Sequence, residues 1–539
     1  MRPVVWWLSS SCVAVSCISY VLLSNERSAA RREAAAVEAE RSVPLFLSDL
    51  VAAGDYAAAR RRSAVVVGGL RLGHSGFFAA PSASGARVNQ LFTWFQPCAR
   101  DDGCRLVQWF NGGPGSPDTT GALNQIGQYW VDESLELRER CFSWCFESHC
   151  LFVDQPVETG YSFQQYENGT AVAPEDVEYT RTSADAARQV LAVLRQVLLV
   201  FPELEGADYY VEGLSYAGHY VPAMAAAVIE SEIDLNLKGV AVGDPAIRHA
   251  SEAPLYGGAL AAFGLVDGRE RERLEAIMAE SVAAWEDRGD CVAAFAAWNS
   301  VWNDDGGSSC APKCEFLYKK WTGSTNTEHA LLGAPPVSRF RGWLARHERE
   351  LHVFGSPNRA AAMAEGGRVY AAMVASGDFC ADFAPGYAAL WDAGVDVLIY
   401  AGNLDPLLGA PVVAGAVDAV AGAALANATK RIWRVAADDA DPAGYATCAD
   451  AAARLCFVVV RNSGHEAPSY APRSAYDLHA RFVRRLPFDG AGGGAPTCDA
   501  CDGAPPFAGP ALPGCRHRSP DHTHWHERLR VDFGAGPAI

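Results

Sequence analysis

A serine in a very tight turn is the feature that most constrains this fold. The stretch Tyr209–Pro222 begins with a short β-prone run, continues with Ser215 between small residues, and leads into an alanine-rich helical pattern. Strand, sharp turn carrying serine, and helix form a nucleophile elbow, which leaves almost no room for side chains two residues before and after the serine. Gly213 and Ala217 satisfy that requirement. The pattern predicts a serine exposed at the top of a sheet, although an ordinary strand–loop–helix turn with an incidental serine also fits it.

Length and composition indicate a large globular protein. Half of the 539 residues are hydrophobic, and 14 Trp, 18 Tyr and 23 Phe are enough for one large core or two domains. The formal net charge is -18, and no basic stripe is interleaved with aromatic residues. Nucleic acid is therefore not expected as a partner.

The cysteines and the N-terminus indicate the secretory pathway. Most of the 16 cysteines lack metal-ligand spacing, and disulfides explain them better. Arg2 precedes an apolar run, so residues 1–27 are typical of a signal peptide or, because the run of residues 4–23 nearly spans a bilayer, of a signal-anchor. Cys12 and Cys17 lie in that segment, so its removal would leave an even number. We expect a protein that is secreted or held in a lysosomal or vacuolar lumen, or anchored to the membrane.

The rest of the chain divides by composition. Residues 28–64 are rich in Ala, Arg and Glu and predict a helical leader or pro-segment, whereas residues 65–488 carry the pattern of a catalytic domain. Residues 489–539 are rich in Gly, Pro, Cys and His and are predicted to be a disordered tail. Asn168 and Asn427 stand in glycosylation sequons, which would lie on surface loops.

The tail also contains a pattern that resembles a zinc site. It places Cys498 and Cys501 two residues apart, followed by Cys515, His517 and further histidines. In an oxidising compartment, with Pro and Gly between the ligands, disulfides are the better explanation. We therefore expect no metal and no cofactor.

Strands and helices alternate along much of the chain, which predicts a mostly parallel α/β sheet. Residues 183–200 form an amphipathic helical pattern for which Ser183 is the expected N-cap, and residues 476–485 predict a closing helix. From about 249 to 368 the alternation stops and the sequence becomes helical and Trp-rich, as expected of a lid-like insertion over the sheet. The β-prone runs are 65–67, 76–78, 91–95, 106–110, 150–154, 209–211, 237–244, 395–400 and 457–460.

Three polar residues follow such runs in an order that has chemical meaning. Ser215, Asp405 and His465 each come at the end of a predicted strand, in the order serine, acid, histidine of an α/β-hydrolase triad. Serine is a weak nucleophile that needs a base within hydrogen-bond reach, and the base needs a carboxylate to fix its tautomer. The sequence thus predicts an α/β-hydrolase fold with a helical lid-like insertion and this catalytic triad.

Four sequence blocks resemble the serine carboxypeptidases, the family of yeast carboxypeptidase Y and lysosomal protective protein. The blocks are 109–115, similar to W-x-N-G-G-P-G; 152–162, similar to F-x-D-Q-P-x-x-x-G-F-S; 213–222, similar to G-E-S-Y-A-G-x-Y-x-P; and 464–468, similar to G-H-x-x-P. With their flanks they extend from about 76 to 485. The resemblance implies release of C-terminal residues from peptides, with an oxyanion hole formed by the backbone N–H groups of Gly113 and Tyr216.

The departures from the family pattern concern the substrate's terminal carboxylate. The resemblance implies binding by Asn111, Gly112 and two glutamates, but Gln125 and Leu214 stand where those glutamates are expected. A Gln amide can donate to a carboxylate and Leu cannot, so recognition of the carboxylate is predicted to be weakened. Ser116 replaces a family cysteine and Asn403 replaces the first Asp of a G-D-x-D pattern, which leaves Asp405 as the acid.

Three functions remain open at this point. The first is a serine carboxypeptidase acting on peptides, and the second is an acyltransferase, esterase or amidase on the same scaffold. The third is a non-catalytic protective or binding protein. The sequence leaves open whether the chain forms a homodimer.

Overall fold

The computed structural model describes residues 44–98, 104–302, 317–333, 338–358 and 367–489. The N-terminal apolar run, the first part of the predicted leader and the Cys/His-rich tail lie outside these ranges. The predictions of a signal or anchor segment and of disulfides in the tail therefore stay predictions.

A twelve-stranded sheet forms the centre of the molecule, in the order β1-β2-β3-β7-β4-β9-β10-β11-β14-β13-β12, with β8 paired to β3. The strands from β7 to β14 in this order run parallel, and the outer strands on both sides are antiparallel. A small hairpin of β5 and β6 lies apart from this sheet. The bounds are β1 Ala64–Val67, β2 Leu70–Pro81, β3 Val88–Gln96, β4 Arg105–Phe110, β5 Tyr129–Val131, β6 Leu137–Glu139, β7 Ser148–Val153, β8 Phe163–Gln165, β9 Asp208–Leu214, β10 Asn236–Gly243, β11 Asp396–Gly402, β12 Lys430–Trp433, β13 Gly444–Asp450 and β14 Arg454–Val460.

Helices cover both faces of this sheet, and two buried apolar clusters fill the space between them. The α/β-hydrolase fold expected from the sequence is thereby confirmed. The helices are α1 Leu47–Ala52, α2 Tyr56–Arg62, α3 Ser183–Val200, α4 Ala217–Ile229, α5 His249–Glu252, α6 Tyr256–Ala262, α7 Gly268–Glu286, α8 Cys291–Trp302, α9 Leu317–Thr322, α10 Phe340–Arg346, α11 Gly367–Ala375, α12 Ala384–Asp392, α13 Ala410–Ala421, α14 Ala423–Ala426, α15 Ala467–Tyr470 and α16 Pro472–Val483.

The parallel strands bring the chemically interesting residues to one edge. The carboxyl ends of parallel strands meet at the same side of a sheet, where α/β proteins place their ligand sites. Ser215 follows β9, Asp405 follows β11 and His465 follows β14. The strand order puts β10 between the first two of these, so Asp244 at the end of β10 lies at the same edge.

The described residues between β10 and β11 are helical and contain no strand. This agrees with the end of the alternation that the sequence indicates, while the assignment of residues 249–368 as a lid stays a prediction. The closing helix α16 begins at Pro472, four residues earlier than expected. One detail was wrong: the N-cap of α3 is Thr182, whose hydroxyl accepts from Asp185 N–H, whereas Ser183 donates to Asp378.

Several cysteines form disulfides, as expected for the secretory pathway. Cys98 and Cys104 form one of these disulfides, and the asparagines of the two predicted sequons, Asn168 and Asn427, are exposed. Within the described parts of the chain, no helix is both long and apolar enough to cross a bilayer. The other pairs given by the structure are Cys145–Cys150, Cys291–Cys380 and Cys448–Cys456.

Among the four disulfides for which the structure describes both cysteines, the one between Cys291 and Cys380 is expected to contribute most to stability. Its two cysteines are 89 residues apart, against 8 for Cys448 and Cys456. A longer loop restricts the unfolded chain more, by about 4–5 kcal/mol against about 2–3 kcal/mol. We expect Cys291→Ala with Cys380→Ala to lower the thermal midpoint more than Cys448→Ala with Cys456→Ala. Equal losses in calorimetry would contradict this ranking.

Candidate active site

The turn at Ser215 has the backbone conformation of a nucleophile elbow. Ser215 has φ +63°, a left-handed value that costs energy for a residue with a side chain. Its N–H donates to Gly243 O at 2.9 Å, which ties the turn to the neighbouring strand β10. A Cβ added to Gly213 would lie 2.6 Å from Ala217 Cβ and 2.7 Å from Phe110 O. The small residues expected from the sequence are therefore required by contact across the turn.

The loop that follows β4 packs directly on this elbow. A Cβ on Gly112 would lie 2.6 Å from both Ser215 Cβ and Tyr216 N, so no side chain fits there. Gly113 has φ +104°, which glycine adopts without strain. Gly113 and Tyr216 both border the cavity that contains Ser215. The two backbone amides expected to bind an oxyanion are thus brought to the same cavity as the serine.

Asp405 and His465 form a buried pair at the same edge. His465 Nδ1 donates to Asp405 Oδ2 at 2.7 Å, and both residues are almost completely buried. Asp405 also accepts from the N–H groups of Leu407 at 2.7 Å and Leu408 at 3.1 Å. These donors fix the carboxylate, which in turn fixes the imidazole so that Nε2 is free to act as a base. His465 borders the cavity together with Ser215.

Electrostatics around His465 favour its protonated form. Burial alone would lower the pKa of His465, but the charge and hydrogen bond of Asp405, with the charges of Glu328 and Glu466, raise it to about 9. Glu328 also holds the histidine loop through its backbone carbonyl, which accepts from His465 N–H at 2.8 Å. A histidine needed as a base must be neutral, so the active fraction grows as the pH rises towards this value.

A second buried acid anchors the residue after the serine. The Tyr216 hydroxyl donates to Asp378 Oδ2 at 2.6 Å, and Ser183 Oγ donates to the same oxygen at 2.7 Å. Burial acts to raise the pKa of Asp378, but the neighbouring His219, at 3.7 Å, and the hydrogen bonds from Tyr216 and Ser183 hold it below its usual value. The hydroxyl end of the Tyr216 ring is therefore anchored to a buried carboxylate directly beside the elbow.

The residues expected to bind a carboxylate are partly engaged already. Asn111 Nδ2 donates to Pro117 O at 2.7 Å, and its Oδ1 accepts from Trp109 Nε1 at 3.2 Å. Gln125 Nε2 donates to Glu466 Oε1 at 2.9 Å, while the buried Gln125 Oε1 has no hydrogen-bond partner among the described residues. Asn111, Gly112 and Gln125 all border the cavity, so the predicted set is brought together beside the serine.

The cavity is a cleft of about 720 Å³ whose far wall comes from the helical segment. Aromatic rings of that wall contact one another: the Phe379 ring centroid lies 5.0 Å from that of Phe295 and 5.5 Å from that of Trp298. Arg341 on α10 is the single arginine or lysine among the described residues that border the cleft. Its side chain is exposed. The cleft thus combines an apolar wall with one cation.

Two groups of residues have metal-ligand chemistry at close range. Ligand atoms of Asp244, Asp405 and His465 lie within 4.8 Å of one another, but His465 Nδ1 is already bonded to Asp405. Cys98 and Cys104 lie near His149, but both sulfurs are in a disulfide and offer no thiolate. Neither arrangement favours a metal, and the predicted absence of metals and cofactors stays a prediction.

Sequence reasoning missed several acids that shape the site, among them Glu328 in the helical segment. Glu466 directly follows His465 and accepts from Gln125, so its position in the chain was a usable signal. Asp244 ends a predicted strand in the same way as Asp405, which was a second signal. Asp378 lies at a turn in the helical segment, and no pattern in the sequence distinguishes it from other acids.

Comparison with known proteins shows which family the chain is similar to. The family model described as serine carboxypeptidase matches residues 72–485. The chain is 29% identical over 475 residues to the venom serine carboxypeptidase of Apis mellifera, which covers 84% of this chain and 93% of that protein. It is 27% identical over 454 residues to the probable serine carboxypeptidase CPVL of Homo sapiens. That match covers 82% of this chain and 89% of the human protein.

A solved structure has the same fold. Kex1(Δ)p, a prohormone-processing carboxypeptidase from Saccharomyces cerevisiae, superposes with a TM-score of 0.56 over 77% of this chain and 92% of its own. The two sequences are 17% identical in that superposition. At this identity the likeness supports the α/β-hydrolase fold and leaves the chemistry to the residues of the site.

The first prediction for the site concerns the triad. We expect Ser215→Ala, Asp405→Asn and His465→Ala each to lower kcat by several orders of magnitude, because the three residues act as a unit. Hydrolysis of a chromogenic blocked dipeptide would measure the loss, and circular dichroism would verify folding. Activity of Asp405→Asn within a few-fold of the natural sequence would show that another residue is the acid.

The second prediction concerns pH. On a substrate without its own titrating groups, kcat/KM should rise through neutral pH because His465, with a pKa of about 9, becomes neutral. Glu466→Gln removes a charge that stabilises the imidazolium, so the rising limb should move to lower pH by about 0.5–1 unit. The matched Glu328→Gln should move it in the same direction. A rising limb of kcat/KM that lies at the same pH in both variants as in the natural sequence would show that these charges do not set the pKa of His465.

Proposed function

The chain belongs to the serine carboxypeptidase family, and on that basis we propose that it releases C-terminal residues from peptides by hydrolysis through an acyl-enzyme. The observation that supports the proposal most directly is the 2.7 Å hydrogen bond between His465 Nδ1 and Asp405 Oδ2. It lies at the cleft that also contains Ser215, whose backbone has a left-handed φ. A serine held at φ +63° beside a carboxylate-fixed imidazole matches the requirements of nucleophilic catalysis. The substrates are peptides.

Each step of the proposed reaction uses a group of this chain. Ser215 Oγ attacks the carbonyl carbon of the last peptide bond while His465 Nε2 takes its proton. The N–H groups of Gly113 and Tyr216 bind the oxyanion, and each such donor typically contributes about 3–4 kcal/mol. His465 then gives the proton to the leaving amino group, and the C-terminal amino acid departs. Water, activated by the same imidazole, hydrolyses the acyl-enzyme and releases the shortened peptide.

We propose further that recognition of the terminal carboxylate is weak. Leu214 offers no hydrogen bond, and one N–H of the Gln125 amide is used by Glu466. The charges of Glu328 and Glu466, which act on His465, also act against an incoming carboxylate. The loss of one hydrogen bond to a charged group corresponds to about 1–3 kcal/mol.

Arg341 is the residue that we propose as the remaining partner for this carboxylate. It borders the cleft from α10, and its charge is opposite to that of a peptide C-terminus. A guanidinium binds a carboxylate through two parallel hydrogen bonds. Because its side chain is exposed, the contribution is expected to be modest.

The replacement of the two expected glutamates by Gln125 and Leu214 also favours a second candidate function. An esterase, amidase or acyltransferase needs the serine machinery and gains nothing from a carboxylate subsite. Leu214 and the acids around His465 suit such a neutral substrate better than a charged one. A third candidate, a non-catalytic protective protein, would retain the fold without turnover.

Peptides that differ only at their C-terminus would separate these functions. The substrates are one N-blocked dipeptide as the free acid and the same dipeptide as the C-terminal amide. We expect cleavage of the free acid with a high KM. Faster release of ammonia from the amide would favour the second candidate, and no labelling of Ser215 by a fluorophosphonate probe would favour the third.

A matched pair of arginines tests the carboxylate partner. Arg341→Ala should raise KM for the free acid by about three- to tenfold and leave KM for the amide unchanged. Arg346 lies on the same helix but does not border the cleft, so Arg346→Ala is the control. Equal effects of the two substitutions, or of Arg341→Ala on both substrates, would rule out this role.

A further inference from the structure

We propose that Asp244 is a positioning residue that keeps its carboxyl proton and donates it in a hydrogen bond to Asp405. In this arrangement the triad extends to a fourth, buried residue from the neighbouring strand. The proposal rests on the proposed function, because it assigns a role within the same reaction. It concerns a group that never touches the substrate.

The backbone around Asp244 holds its side chain in one place. Asp244 follows β10 with φ +43° and has no exposed surface. Its N–H donates to Tyr400 O at 2.7 Å, and its Oδ1 accepts from Gly402 N–H at 2.7 Å. Both partners belong to β11, the strand that leads to Asp405. The carboxyl group is thus fixed between two parallel strands at the edge where the triad lies.

The carboxyl group of Asp244 also lies close to a second carboxylate. Its Oδ2 is buried, and no hydrogen-bond donor among the described residues reaches it. One carboxylate oxygen of Asp244, one of Asp405 and a ring nitrogen of His465 all lie within 4.8 Å of one another. Two ionised carboxylates that are this close and this buried repel each other, so the pair favours a state in which one of them carries a proton.

The surroundings place that proton on Asp244. Asp405 accepts from two backbone N–H groups and from His465, and each of these donors stabilises its charge. Asp244 accepts from Gly402 N–H, the one donor that the described residues direct at it. Burial, with the Asp405 charge and contact as further causes, raises the pKa of Asp244 well above its usual value.

The remaining titratable groups near Asp244 act in the same direction. Glu466 adds a negative charge that disfavours a second charge on Asp244. The Tyr400 ring packs against Gly243, and burial raises the pKa of this phenol well above its usual value, so it stays neutral. His465 faces Asp405 and Asp244 from β14 and becomes cationic when it takes the serine proton. A neutral Asp244 therefore leaves the net charge of the Asp405–His465 pair undisturbed.

The expected benefit is orientation of the base. A hydrogen bond from Asp244 fixes the plane of the Asp405 carboxylate, which is also fixed by the N–H groups of Leu407 and Leu408. The imidazole then keeps one ring orientation through the transfer of a proton from Ser215. An ionised Asp244 would lack the donor and would repel Asp405 at the same contact.

Two substitutions at position 244 separate a proton donor from a space-filling residue. Asp244→Asn keeps an N–H donor of the same shape but does not titrate, whereas Asp244→Ala removes the donor. We expect the natural sequence to show an alkaline decline of kcat/KM from ionisation of Asp244, and we expect Asp244→Asn to lose this decline while it retains kcat within about threefold at neutral pH. Asp244→Ala should lower kcat roughly tenfold or more, with KM unchanged.

A second buried acid provides the control. Asp154 accepts from Thr119 N–H and Oγ at 2.9 Å and from Tyr161 N–H at 3.0 Å, and burial raises its pKa to about 6. It supports a loop and is not in contact with Asp405 or His465. Asp154→Asn should therefore leave the alkaline limb of kcat/KM unchanged, whatever its effect on the thermal midpoint.

The outcomes are distinct from those that test the proposed function. An alkaline limb that is unchanged in Asp244→Asn, or wild-type kcat in Asp244→Ala, would overturn the role of Asp244 while the enzyme itself remained active. Loss of activity on addition of EDTA, restored by a divalent ion, would overturn it as well, because the cluster would then hold a cation. The Nδ1 proton of His465 should move in the low-field NMR spectrum of Asp244→Ala and stay close to its position in Asp244→Asn.

Discussion

The site depends on the close approach of two backbone turns. The turn at Ser215 and the loop at Gly112 are so near that one methyl group at Gly112 would lie 2.6 Å from Ser215 Cβ and from Tyr216 N. This contact sets how far the serine hydroxyl and the oxyanion donors are from each other, since both are carried by the same two turns. Everything else at the edge of the sheet, including the aspartates and the histidine, is placed relative to that contact by the parallel strands.

The negative charges around His465 have two opposite effects on catalysis. The acids that raise its pKa stabilise the imidazolium that forms during attack by serine, but they also reduce the fraction of neutral base at a given pH. Under the proposed function, the same acids also act against a free carboxylate in the cleft, and Arg341 is the proposed partner that would offset their charge.

Local patterns in the sequence were enough to predict nine of the fourteen strands that the structure describes and the turn at Ser215, but not β5, β6, β8, β12 and β13. Each of these predictions depends on a short run of residues, such as the glycine and alanine on either side of Ser215. Contacts between loops on different strands could not be predicted, because they depend on strand order and register. The bond from Gln125 to Glu466 joins residues 341 positions apart, and the contact of Asp244 with Asp405 needs β10 and β11 to be neighbours. The misassigned cap at Ser183 has the same cause: a distant acid, Asp378, uses its hydroxyl.

The disulfide between Cys291 and Cys380 closes a loop that contributes the wall of the cleft but none of the three triad residues. The bridge joins the start of α8 to the turn that carries Phe379, and between these ends lie several aromatic residues that wall the cleft. The serine, acid and histidine all come from strands outside that closed loop. Variation among the aromatic residues of the loop can therefore reshape the wall of the pocket while the serine, acid and histidine stay on their strands. Two acids of the loop are tied to those strands, because Glu328 O accepts from His465 N–H and Asp378 accepts from the Tyr216 hydroxyl, so these two positions are expected to tolerate less change than the wall.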